Sequence, residues 1–246
     1  MVSVRRFTVF SVWVSFLIYA FGFAPGSFDV ELLKQLISNP LDSNVNSIFL
    51  VIFNGLGILP ALYCAFLLPR EKSESLQAWP FLLLSFFLGF FALGPYLALR
   101  KARTTNVKLV EYSYAPLTES KWFRYSLLVF VLALCSVGLK IFPLLEAGVK
   151  EQHYSMPWDI SLLVEWDKYL QLFHNYRFVH VSSIDFVILC FFLAEPLYED
   201  MRLRGFFQKD SRLLDGFLWL ATWFVPLIGP SIYLCTRPPW NNKEKL

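Results

Sequence analysis

Few residues in this 246-residue chain are of a type and spacing that could do chemistry. Ionisable side chains inside apolar segments are costly, and they are the first place to look for function in such a sequence. Asp185 lies about one and a half turns inside an apolar run, beside Ser182 and Ser183. Lys140 lies in another run and could pair with it, or could extend its ammonium to the nearest interface. Glu146 and Glu195 stand at the ends of runs. Asn54 falls in "FNGLGILP" with Gly55, Gly57 and Pro60. A break there could present backbone carbonyls to an ion or substrate, whereas glycines that let helices approach and an Asn that bonds across them would be purely structural.

Of three histidines, His174 and His180 could each ligate the magnesium of a pigment or a haem, or anchor an interface through hydrogen bonds. No H-x-x-H or H-E-x-x-H spacing is present, which argues against a His-box di-iron or intramembrane zinc enzyme. Nor is there a G-x-S-x-G elbow or a phosphate-cradling glycine loop. Cys64, Cys135, Cys190 and Cys235 sit singly in apolar runs and read as free thiols acting as small hydrophobes. The sequence therefore nominates no catalytic residues and no metal site. Its candidates are the polar set Asp185, Lys140, Asn54, Ser182 and Ser183, with His174 and His180 as cofactor ligands.

The elements that must position these residues follow from composition. The chain is 56% hydrophobic, 18% aromatic and only 17% charged, with a formal net charge of +3. That much apolar surface exceeds what a body of this size can bury, so lipid is its expected solvent, and no basic block suggests nucleic acid. Six runs approach the roughly 20 residues a helix needs to cross a bilayer: 7–24, 48–68, 79–99, 125–145, 180–198 and 213–235. They are continuously apolar rather than alternating, which predicts helices and not a barrel. The expectation is one all-α polytopic membrane domain over 1–246 with about six transmembrane helices. Interfacial helices are expected over 30–37 and, from the spacing of Trp158, Leu162, Trp166, Tyr169, Leu170 and Phe173, over 156–178. A cap packed on the bundle is the other reading of the second segment.

Two runs end alike, "GPYLALR" from Gly94 and "GPSIYLCTR" from Gly229, and the first and fourth both begin basic-aromatic and end at Pro. One reading is a three-plus-three inverted repeat, as in transporters. The other needs no ancestry: each Gly-Pro bends its helix, Tyr96 and Tyr233 sit near the interface, and Arg100 and Arg237 extend to headgroups.

In "LVIFNGLGILPALYCAFLLP", "AWPFLLLSFFLGFFALGPYLALRK" and "VPLIGPSIYLCTRP" the chain resembles a family of uncharacterised multi-pass membrane proteins of cyanobacteria and plastids. The resemblance implies a thylakoid, plastid or bacterial inner membrane, and it carries no catalytic residues over. The functional expectation is a non-enzymatic accessory subunit or assembly factor that binds other membrane proteins, lipids or pigments. The alternative is a small transporter built on inverted halves.

Overall fold

The computed structural model describes residues 2–27, 45–69, 76–100, 115–138, 158–207 and 212–238, together with 30, 31, 34 and 38. Apart from one isolated bridge between Ser27 and Tyr176, the regular structure among them is helical. In chain order the helices are α1 (Val2–Ile18, continued by a π-helical turn at Tyr19–Phe23), α2 (Ser47–Leu67), α3 (Trp79–Leu88), α4 (Phe90–Leu99), α5 (Ala115–Thr118), α6 (Lys121–Gly138), α7 (Trp158–Asn175), α8 (Arg177–Phe192), α9 (Ala194–Leu203), α10 (Arg212–Phe224) and α11 (Ile228–Thr236). Leu193 is itself in the right-handed helical region, so α8 and α9 form one rod. Val4–Phe23, Ser47–Leu67 and Arg177–Leu203 are long and apolar enough to cross a membrane.

The bundle has two distinct ends. At the first, here the cap end, α7 lies across the tops of the rods. Glu165 of α7 accepts from the Asn46 side chain, the Ser47 amide and the Ser47 hydroxyl, while the Asn46 side-chain oxygen Oδ1 receives the Phe49 amide and caps the start of α2. Arg177 donates to the Ala24 carbonyl, and its amide to that of Ser27. At the opposite, acidic end, α9 brings Glu195, Glu199 and Asp200 together with Arg5, Arg100 and Arg237 from three other parts of the chain and with Arg204 at its own C-terminus. Rods α1, α2 and α8–α9 run from one end to the other. So does α6, which starts with Arg124 donating to the Leu234 carbonyl and reaches Val51, near the start of α2, at Gly138.

Between these rods stand two helical hairpins. The expected single span 79–99 is instead two antiparallel arms, α3 and α4, that reverse at Gly89. The rings of Phe81 and Tyr96 lie 5.6 Å apart, whereas in a straight helix residues that far apart in sequence would be separated by about 20 Å. Gly89 makes the reversal possible at φ 54°, ψ −131°, a conformation essentially reserved for glycine. The expected span 213–235 likewise divides into α10 and α11, reversing at Val225–Leu227, with Leu227 at φ 67°. A ten-residue arm rises about 15 Å, roughly half of a hydrocarbon core. Both hairpins enter and leave at the acidic end: Arg100 and Arg237, which close the returning arms, both meet α9. Their tips stop midway, Gly89 against Asp185 of α8 and Leu227 against Gly55 of α2.

Neither Gly-Pro pair makes these turns. Pro95 sits inside α4 without ending it. Its missing N–H leaves the Phe91 carbonyl open, and Trp13 of α1 donates its indole N–H there at 3.1 Å. A Cβ on Gly94 would collide with that same indole. Gly-Pro thus seats Trp13, tying α1 to the returning arm. Pro230 lies in the first turn of α11, where an N–H is not needed, and a Cβ on Gly229 would strike the backbone of Thr222 on the opposite arm. The same dipeptide serves a helix clasp in one hairpin and a tight arm-to-arm contact in the other.

Other expectations fare variously. The amphipathic segment forms α7, and Tyr169, Leu170 and Phe173 pack on Val45, Phe49 and Val179, as a cap on the bundle would. Trp166 is half-exposed beside Tyr169. The run at 125–145 is described to Gly138, so Lys140 and Glu146 lie outside the described residues, as does most of 30–37.

Candidate functional site

Because the first hairpin reaches only half the length of the rods, space is left beside its tip. A groove of about 650 Å³ is walled there by α2 (Phe53 to Ala61), the tip (Ser85 to Phe91), α6 (Leu127 and Phe130) and α8 (Phe178 to Asp185). Its lining is mostly aromatic and aliphatic, and Phe86, Phe87, Leu88 and Phe130 are also exposed on the outer surface of the molecule. Its polar positions are few: Asn54, Ser85, Ser182 and Asp185. An apolar cavity with a handful of convergent polar groups is the general form of a small-molecule site.

Asp185 organises the polar wall. It is 5% exposed, and its Oδ1 accepts the Phe90 amide at 2.8 Å. Phe90 begins the returning arm, so the carboxylate caps a half-helix whose N-terminal dipole favours negative charge. The other oxygen, Oδ2, lies over Gly89 and meets no hydrogen-bond donor among the described residues. A side chain at position 89 would displace it, so the glycine that permits the turn also admits the carboxylate.

The structure therefore brings Asp185, Asn54 and Ser182 to one groove and separates them from the other candidates. Asn54 donates to the Leu50 carbonyl one turn back on its own helix. Ser183 turns away from Asp185 and donates to the Val179 carbonyl. His180 lies nearer the cap end with both ring nitrogens engaged, Nε2 with the Tyr19 hydroxyl at 2.7 Å and Nδ1 with the Phe173 carbonyl at 3.0 Å, its ring against Phe173. That geometry makes it an anchor between α1, α7 and α8, and leaves no nitrogen for a pigment magnesium or haem iron. His174 is exposed at the end of α7, edge-on to Phe173. Cys64, Cys135, Cys190 and Cys235 are free thiols. Among the described residues, no group of three or more His, Cys, Asp or Glu is placed to hold a metal ion. No family model, curated protein or solved structure matches this chain.

The acidic end is the constellation that sequence reasoning missed. Arg100 is fully buried and pairs with Glu199 at 3.0 Å and Glu195 at 3.2 Å, and Arg5 joins through Glu195 while donating to the carbonyls of Leu97 and Arg100. Directly after Glu199, Asp200 accepts from Arg204 and from the Tyr233 hydroxyl, both at 2.8 Å. Arg237 reaches Asp200 at 3.4 Å and Glu119 at 2.7 Å. Arg100 and Arg237 therefore do not extend to headgroups, and Tyr96 and Tyr233 are buried rather than interfacial. Burial alone would lower the Arg100 pKa; Glu199 and Glu195 outweigh it and hold the guanidinium above its ordinary value. For Arg237 burial wins, aided by the neighbouring charge of Arg204, and its pKa falls. The signal was present in "EPLYED": three carboxylates within six residues after an apolar run need cations, and the arginines at the ends of the runs supply them.

Proposed function

We propose that this protein is a non-enzymatic integral membrane component that holds an apolar molecule, a lipid or a pigment, in the groove beside its first hairpin. In this reading it serves as an accessory subunit or assembly factor. The groove carries the proposal, with aromatic walls, an opening among exposed Phe86, Phe87 and Leu88, and a single buried carboxylate. Such a site suits a ligand that arrives from the bilayer rather than from water. The resemblance to cyanobacterial and plastid membrane proteins supports a photosynthetic-type membrane as its setting. The test is mild-detergent purification from native membranes, with mass spectrometry of the retained small molecules and proteins. A lipid or pigment retained stoichiometrically by the wild type, and lost when Gly57, which lines the groove with free space before it, becomes Phe, supports the reading. Equal retention by both forms removes its basis.

A transporter is the second reading, favoured by two half-depth hairpins whose tips stop near mid-bundle. The packing favours halves related in the same sense rather than upside down. Arg5 at the start of α1 donates to Leu97, three residues before Arg100, and Arg124 at the start of α6 donates to Leu234, three residues before Arg237, all at one end of the bundle. Proton or cation flux into vesicles carrying the purified protein, abolished by Asp185→Asn, would favour this reading over the first.

A further inference from the structure

Resting on the groove reading, a more specific inference concerns the ligand's head. Asp185 is the one ionisable group among the groove's lining residues, and its carboxyl is committed on one side only. Oδ1 caps the Phe90 amide, and Oδ2 has no donor among the described residues although the residue is 5% exposed. A carboxylate oxygen can only accept, so an oxygen left in an apolar cavity selects for a donor and against another acceptor. Ser182 and Asn54, on either side of the groove, add polar atoms but no formal positive charge. Among the described residues no cation stands at the groove to satisfy an anionic head: the buried arginines are gathered at the acidic end, on Glu119, Glu195, Glu199 and Asp200. In its ionised form, which the Phe90 amide favours, Asp185 gives this part of the groove a negative charge that would repel an acidic head.

We propose that the groove takes a single-chain amphiphile with a hydrogen-bond-donating head, a hydroxyl or an ammonium, whose donor meets Asp185 Oδ2 while its chain lies between α2, α6 and the hairpin tip. Ligands whose heads only accept, such as esters, and free carboxylates are disfavoured. The arrangement also explains how the returning arm keeps its capped N-terminus with ligand bound, because the two carboxylate oxygens serve different partners.

The experiment is photolabelling of the full chain in lipid nanodiscs with hexadecyl chains that carry a mid-chain diazirine and end in an alcohol, an ammonium or a methyl ester. The readout is the concentration that half-saturates labelling of peptides from the groove wall. In the wild type at least one donor-headed probe should saturate at about tenfold lower concentration than the ester, the factor expected of one hydrogen bond to a charged acceptor. Asp185→Asn keeps an acceptor for Phe90 but offers an amide donor in place of Oδ2, so the preference should fall to about twofold or less. Gly57→Phe should abolish groove labelling by every probe. Equal half-saturation of donor and ester probes in wild type overturns the head-group inference and leaves the groove reading standing; that comparison needs no variant to fold. Absence of groove labelling by all probes, or labelling unaffected by Gly57→Phe, overturns the groove reading itself.

Discussion

Gly89→Ala tests the central geometric claim, that the first hairpin turns at a glycine lying under a capping carboxylate. The substitution has two costs. At φ 54°, ψ −131° an alanine is in a region open essentially to glycine alone, a strain of about 2 kcal/mol. Its Cβ also falls on Asp185, which must move and release the Phe90 amide inside the bundle, a further penalty of about 2 kcal/mol for an unsatisfied buried donor. Together these predict a loss of about 4 kcal/mol, which at roughly 3 °C per kcal/mol for a chain of this size lowers the midpoint by about 12 °C. The assay is thermal unfolding in a fixed detergent, followed by tryptophan emission and by aggregation. The contributions separate in a cycle with Asp185→Ala. In that background the collision is gone, so adding Gly89→Ala should cost only the backbone term, about 2 kcal/mol. A Gly89→Ala protein melting within about 2 °C of wild type, or equal penalties in both backgrounds, would refute the placement of Asp185 over the turn.

Three further substitutions probe the rest of the bundle. Arg100→Leu takes the guanidinium from buried Glu199, while Glu195 keeps Arg5, and should cost about 3 kcal/mol, read as a lower melting midpoint; an unchanged midpoint would mean that water reaches this cluster. Trp13→Phe should cost about 1–2 kcal/mol by stranding the Phe91 carbonyl, and less when Pro95→Ala supplies a backbone N–H to it, so a double-mutant cycle without coupling would contradict the clasp. Glu165→Ala removes the carboxylate that accepts from Ser47 and leaves Asn46 only the residue's backbone carbonyl, and it should accelerate hydrogen exchange in the first turn of α2 by about tenfold, with little change toward Leu67.

The helices were legible because a continuous apolar run has few other options, and α7 was legible from the spacing of its aromatic residues. The hairpins were not. Twenty-one apolar residues satisfy the length of one crossing or of two half-length arms equally well, and hydropathy is identical in both. What decides is the backbone sign at Gly89, a single glycine in "FFLGFF" that looks like any other glycine in a membrane helix. The Gly-Pro pairs drew attention for a sound reason, since proline does free a carbonyl, but a freed carbonyl can be taken by a neighbour such as Trp13 instead of bending the helix. Of the site, Asp185 was visible as a carboxylate in the wrong solvent. Its partner was not, because Phe90 contributes only a backbone amide and any residue could have done so. Arg100 and Arg237 were misjudged because an arginine after an apolar run reads the same whether it faces water or a buried glutamate.

The hairpins also change how the chain is oriented. A segment that enters and leaves by one face does not switch the side on which the following residues emerge. Had 79–99 and 213–235 been crossings, each would have moved the next stretch to the opposite compartment and divided the basic residues between the two faces. As folded, Arg5, Arg6, Arg100, Lys121, Arg124, Arg202, Arg204 and Arg237 all gather toward the α9 end, while Lys168 and Arg177 stand at the cap end. In a bilayer, positive charge is retained on the side of synthesis. Among the described residues the basic side chains thus concentrate at the end of the bundle that α7 does not cover.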